Sequence, residues 1–174
     1  MPGQRLARAI AAALVAAGAP NPASIGLVLS DDAELAELNH EHMATRGPTD
    51  VLSFPLLPPG SFRPHAGGPV TGPVPGPVTA PVIEKDAASA AAFALPPGRR
   101  IHLGDIVVSV ERAAAQASEG RGGQTGDVRW TPADELLLLV THGALHVCGW
   151  DHAEPREEAA MRRLERTLLA AVGD

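Results

Sequence analysis

The chain has 174 residues, a length that fits one domain and leaves two cramped. Hydrophobic residues make up 45% of it, much of that alanine, and no apolar run reaches the roughly eighteen residues of a membrane span. The single cysteine, Cys148, excludes an internal disulfide, and the net charge of −6 excludes a protein that coats nucleic acid by bulk electrostatics, so any action on RNA or DNA must be local.

Arg5 and Arg8 precede an alanine-rich stretch as in an export signal, yet Leu6, Ile10, Leu14 and Ala17 recur at helical spacing and Gly18 stands where a C-terminal cap would. A helix is expected there. Apolar Ile25, Leu27 and Leu29 alternate through residues 24–29, as in a strand with one buried face. Asp31 is placed to accept from the amide near Glu34 and so to open a helix carrying Leu35, Leu38 and His42 up to Gly47-Pro48. Residues 50–54 then read as a second strand, stopped by Pro55.

From Pro55 to Arg100 the composition changes, for 11 of the 17 prolines fall there. Gly68-Pro69-Val70, Gly72-Pro73-Val74 and Gly76-Pro77-Val78 set a four-residue period that removes amide donors and favours extended backbone. Residues 56–98 are therefore expected to be a flexible insert outside the core of a single domain spanning 1–174, with at most a short helix over the alanines of 87–94. The β-branched run of 101–110 predicts a strand buried on both faces, followed by a helix over 111–118 and a glycine-bearing loop over 120–129. Thr131, Pro132 and Asp134 mark the start of a further helix. In the last predicted helix, over 154–172, Met161, Leu164 and Leu168 form the core stripe, while Arg162, Arg163 and Arg166 mix with Glu157, Glu158 and Glu165 on a solvated face.

The chemistry concentrates at the end of the helix that Thr131 opens. Leu136, Leu137, Leu138, Leu139 and Val140 make it apolar almost all round, so it is buried, and His142 and His146 project from one face a turn apart. Gly149 can reverse the chain and return His152 as a third ligand. Core histidines would each need a hydrogen-bonding partner inside an apolar helix, and a third beyond a glycine turn favours a metal site. Three imidazoles suit one Zn2+ ion with a fourth position open to water. Zinc proteases carry a glutamate beside the first ligand as general base; here that position is Gly143, which disfavours peptide hydrolysis by that route.

The block His142-Gly143-x-Leu145-His146-x-x-Gly149-Trp150-Asp151-His152 resembles the signature of the YbeY endoribonucleases, the rRNA maturation factors. Residues 48–55, Pro-Thr-Asp-Val-Leu-Ser-Phe-Pro, and 103–109, Leu-Gly-Asp-Ile-Val-Val-Ser, match in the same order, so that the likeness covers about residues 24–54 and 101–170. The resemblance implies an α+β fold in which a small mixed sheet of about four strands packs with helices, a zincin-like site on the buried central helix, and one zinc held by His142, His146 and His152. It further implies cleavage of single-stranded RNA in 16S rRNA 3′-end maturation and ribosome quality control. A cytoplasmic location, an rRNA precursor as substrate, the small ribosomal subunit or a ribosomal protein as partner, and no membrane partner go with it. Many members carry an arginine a few residues after a Leu-Asn pair, thought to meet phosphate; after Leu38-Asn39 the aligned residue is Met43, and Arg46 is the candidate substitute.

Asp151, beside a ligand, is expected to orient an imidazole or move a proton, with capping of the next helix as the alternative. Asp50 and Asp105 either face the metal or cap a strand end or turn. No histidine pattern makes a nucleophile of Ser53 or Ser109, Cys148 reads as a small buried hydrophobe, and His40, His42, His65 and His102 as surface or packing residues. Two other functions fit the same residues: a zinc hydrolase of another substrate, and a noncatalytic ribosome assembly factor with structural zinc.

Overall fold

The computed structural model describes residues 2–43, 47, 49–62, 100–119 and 130–172. In chain order these form α1 (Pro2–Ala16), β1 (Ala23–Ser30), α2 (Asp32–Met43), β2 (Val51–Pro55), β3 (Ile101–Ser109), α3 (Val110–Glu119), α4 (Pro132–Val147) and α5 (Pro155–Val172), with a 3-10 turn at Pro59–Ser61 after β2. The strand order is β1-β3-β2, β1 running parallel and β2 antiparallel to the central β3. The fold is thus α+β with a small mixed sheet, and three of the expected strands lie among the described residues.

Alternation along β3 builds two cores. Leu103, Ile106 and Val108 face α4 and join a main cluster with α1 and α5, whereas Val107 points to the other face and meets Leu35 of α2 and Leu52 of β2. A register shift between Ser24 and Gly26 on β1 puts a bulge in the pairing with β3. Gly104 sits there at φ 148, where a Cβ would lie 2.3 Å from the Phe54 carbonyl oxygen, so only glycine lets β2 come this close. The bulge restarts the alternation and places Asp105 on the same face as His102, whose Nε2 lies 3.2 Å from its Oδ1. Asp105 therefore sits on the face opposite α4 and does not face His142 and His146.

The stretch at the N-terminus is a packed helix, with Leu6, Ala9, Ala13 and Ala17 buried at successive turns. Gly18, at φ 66, ends it: its amide donates to the Val15 carbonyl and that of Ala19 to the Leu14 carbonyl. In α2, Asp31 Oδ1 accepts from the Glu34 amide at 2.9 Å, as the sequence led one to expect. Ser109 is the cap of α3 rather than a nucleophile, its Oγ accepting from the Arg112 amide and donating to Asp32.

Two sequence expectations are corrected by packing. Pro55 does not end the core: Leu57 packs on the main cluster and Phe62 is itself buried in it, while Pro59 closes on Gly149. Residues 63–99, with the four-residue repeat and the alanine run, fall outside the described residues, as does the loop of 120–129. The last helix is not solvated along its whole charged face either, because Glu157 and Glu165 are buried in line with Met161, Leu168 and Val172.

α4 is the element on which everything else rests, and its start is fixed by a reciprocal pair. Thr131 Oγ1 accepts from the Asp134 amide at 3.2 Å, and Asp134 Oδ2 accepts from the Thr131 amide at 3.1 Å. Thr131→Ala is expected to cost about 1 kcal/mol, read as a lower denaturant midpoint at unchanged slope.

Candidate metal centre

His142 and His146 leave the same face of α4, and their ring centroids are 4.5 Å apart. The helix then ends on Gly149 at φ 81: the Gly149 amide donates to the His146 carbonyl and the Trp150 amide to that of Leu145. This reversal brings the His152 ring within 5.6 Å of His142 and 5.0 Å of His146, centroid to centroid. One nitrogen from each histidine lies within 4.8 Å of the other two, so the three residues read from the sequence as ligands do converge.

Hydrogen bonds decide which nitrogens face inward. His142 Nδ1 lies 2.6 Å from Glu165 Oε1, and His146 Nδ1 lies 2.8 Å from the Trp150 carbonyl oxygen. Carboxylate and carbonyl oxygens accept only, so both Nδ1 atoms carry the proton and, in neutral rings, both Nε2 atoms present bare lone pairs. Those two Nε2 atoms face each other at 3.0 Å. Two lone pairs at that distance repel unless a cation sits against both, and nitrogens on a tetrahedral zinc are separated by roughly 3.3 Å. The donor set and its protonation fit a metal ion.

Electrostatics point the same way. Burial pushes His146 down to about 4, and the neighbouring imidazoles of His142 and His152 add to it against the opposing Trp150 carbonyl and Asp151. The ring is thereby kept neutral and available as a donor at neutral pH. In the metal-free protein the unfolded chain takes up this proton near 6.5 and the folded chain only near 4, so stability is lost as pH falls through that window. The loss from this group is on the order of 3 kcal/mol. Denaturant midpoints across the window should fall more steeply in the wild type than in His146→Ala; equal slopes would contradict the assignment.

Two recesses meet at the histidines. A cavity of about 550 Å³ runs from Met43 along Val51 and Ser53 to Trp150 and Asp151, and a smaller one of about 180 Å³ lies between α4 and α5, beside Met161 and Arg162; Asp50, His142 and His152 border both. Asp50 is held by Gln116 Nε2 at 3.1 Å. Asp151 Oδ1 accepts from the His152 amide at 2.7 Å, so it shapes the turn that carries the third histidine instead of capping α5. Cys148 is buried, and burial pushes its thiol up to about 12, consistent with a small hydrophobe. Arg46 and His65 lie outside the described residues, while Met43 at the aligned position lines the larger cavity. Gly143 is in the sheet contact: a Cβ there would fall 2.7 Å from Ile106 Cγ2 and 3.1 Å from Val51 Cγ2. Glu165 is the site residue the sequence reading missed, although its spacing of four from Met161 and three from Leu168 marks the buried stripe.

A family model described as Endoribonuclease YbeY matches residues 3–173. The chain belongs to that family. Relatives named Endoribonuclease YbeY include one from Salinispora tropica, 41% identical over 149 residues, which are 86% of this chain and 74% of the relative. One from Roseiflexus sp. is 35% identical over 153 residues, 87% of this chain and 72% of the relative. One from Moorella thermoacetica is 33% identical over 168 residues, 97% and 85% of the two chains. The YbeY match runs from the second residue of α1 through the end of α5, so it includes the segment from Pro55 to Arg100 as well as the histidine block. Among the described residues, no helix is long and apolar enough to cross a membrane.

Proposed function

We propose that the protein is a zinc-dependent endoribonuclease that cuts single-stranded RNA, and that its physiological substrate is the 3′ end of precursor 16S rRNA, with a further part in ribosome quality control. The observation that carries this reading is the pair of unprotonated Nε2 atoms facing each other beside an open cavity, with His152 completing the donor set. Membership in the endoribonuclease family supplies the substrate class. Three imidazoles favour zinc over harder ions, and leave a coordination position free. When bound, such an ion supplies Lewis acidity, acidifying water and offsetting the charge that develops at phosphorus.

The chain's own residues then divide the remaining work. The larger cavity opens beside the histidines, and a single strand, whose unstacked bases can be splayed out, is the form of RNA suited to a local recess of this kind. Asp151 holds the His152 turn and stands at the cavity edge, where it can move a proton. Arg46 meets phosphate in place of the family arginine. The unit is one domain over 1–174, in the cytoplasm, its partner the small ribosomal subunit or a ribosomal protein.

The test is cleavage of one RNA as a single strand and as a duplex by protein loaded with one equivalent of zinc, before and after chelation. Cutting confined to the single strand, lost on chelation and restored by zinc, is expected. Intact RNA in the presence of stoichiometrically bound zinc would replace this reading with that of a noncatalytic assembly factor.

A further inference from the structure

The three histidines are not supported alike. His146 donates to a neutral backbone carbonyl, and the exposed His152 ring makes no hydrogen bond among the described residues. Of the three, and among the described residues, His142 is the ring hydrogen-bonded to a carboxylate, Glu165 Oε1, at 2.6 Å. Glu165 is 7% exposed and stands on α5 between Met161 at 1% and Leu168 at 8%, a position where an unpartnered carboxylate would be strongly destabilising. The partner the structure gives it is the Nδ1–H of His142, 23 residues away on another helix.

We propose that Glu165 is a positioning residue of the metal centre: its buried carboxylate holds the His142 ring in the tautomer and orientation that present Nε2 to the ion, and ties occupancy of the ion to the docking of α5. This rests on the metal part of the reading above and adds a residue to it. The carboxylate does three things at once. It fixes the proton on Nδ1, it sets the rotation of the ring about its Cβ–Cγ bond, and its negative charge raises the donor strength of Nε2. Arg162, one turn before it, is paired with Glu158 at 2.5 Å and so does not compete for the carboxylate in this arrangement.

The test compares wild type with E165A and E165Q, reading Co2+ or Zn2+ affinity by competition with a chromophoric chelator, and the His142 tautomer of the metal-free proteins by nitrogen NMR. Loss of the carboxylate in E165A is expected to weaken metal binding ~10–100-fold and to free the His142 proton to move to Nε2. The amide oxygen of E165Q still accepts from Nδ1, so this variant should keep the tautomer and lose less affinity. Should E165A fail to melt cooperatively, E165Q carries the test on its own, with weaker metal binding at an unchanged metal-free melt as the expected result. Wild-type affinity in every folded variant would overturn the role of Glu165. A wild-type chain that binds no ion would overturn the metal reading itself, and this proposal with it.

Discussion

His146→Ala is expected to abolish stoichiometric metal binding and to lower cleavage of single-stranded RNA by roughly a thousandfold or more, because the several kcal/mol of charge stabilisation that an ion supplies at phosphorus goes with it. The fold should survive. In the metal-free protein His146 contributes one hydrogen bond, to the Trp150 carbonyl, while its Nε2 lone pair opposes that of His142 at 3.0 Å. Losing the first costs about 1 kcal/mol, and relief of the second offsets part of it. The variant should therefore melt cooperatively near the metal-free wild type and show none of the stabilisation that added zinc gives the wild type by mass action. Cleavage retained at wild-type rate after this substitution would exclude the three-histidine centre as the seat of activity.

Gly143→Glu is expected to lose the cooperative melt altogether, and Gly143→Ala to cost ~1–3 kcal/mol. Zinc proteases place their general base at this point of the helix, so the substitution looks like a route to a second activity. Packing forbids it. An alanine Cβ would already press on Ile106 Cγ2 at 2.7 Å and on Ser53 Oγ at 3.2 Å, and the Gly143 carbonyl accepts from that same Ser53 hydroxyl. α4 would have to withdraw from β2 and β3, and with it two of the three histidines. Urea midpoints measure the alanine variant, and a glutamate variant as stable as the wild type would refute the argument.

What could be read from the sequence is what local chemistry determines. The start of α4 is written in Thr131, Pro132 and Asp134, its end in Gly149, and the convergence of His142, His146 and His152 follows from helical spacing plus one reversal. Glu165 was hidden because its meaning is tertiary: a glutamate among arginines reads as solvated until α5 is seen to set it against α4. The side of β3 that Asp105 occupies depends on a bulge that needs both neighbouring strands, and sequence alternation alone cannot count the extra residue. Composition places Phe62 in the proline-rich insert, yet a single aromatic side chain is enough to seat the chain back on the core.

That seat has a consequence for how this chain can change. Phe62 and Ile101 are both packed on the main cluster, so the fold itself fixes these two points of the chain. The entropic cost of closing a flexible loop between fixed points grows only with the logarithm of its length, and doubling the length adds about 0.6 kcal/mol. Any flexible connection between two such anchors can lengthen at a small entropic penalty, whereas a single atom added at Gly143, in the contact of α4 with β2 and β3, displaces the helix that carries the chemistry.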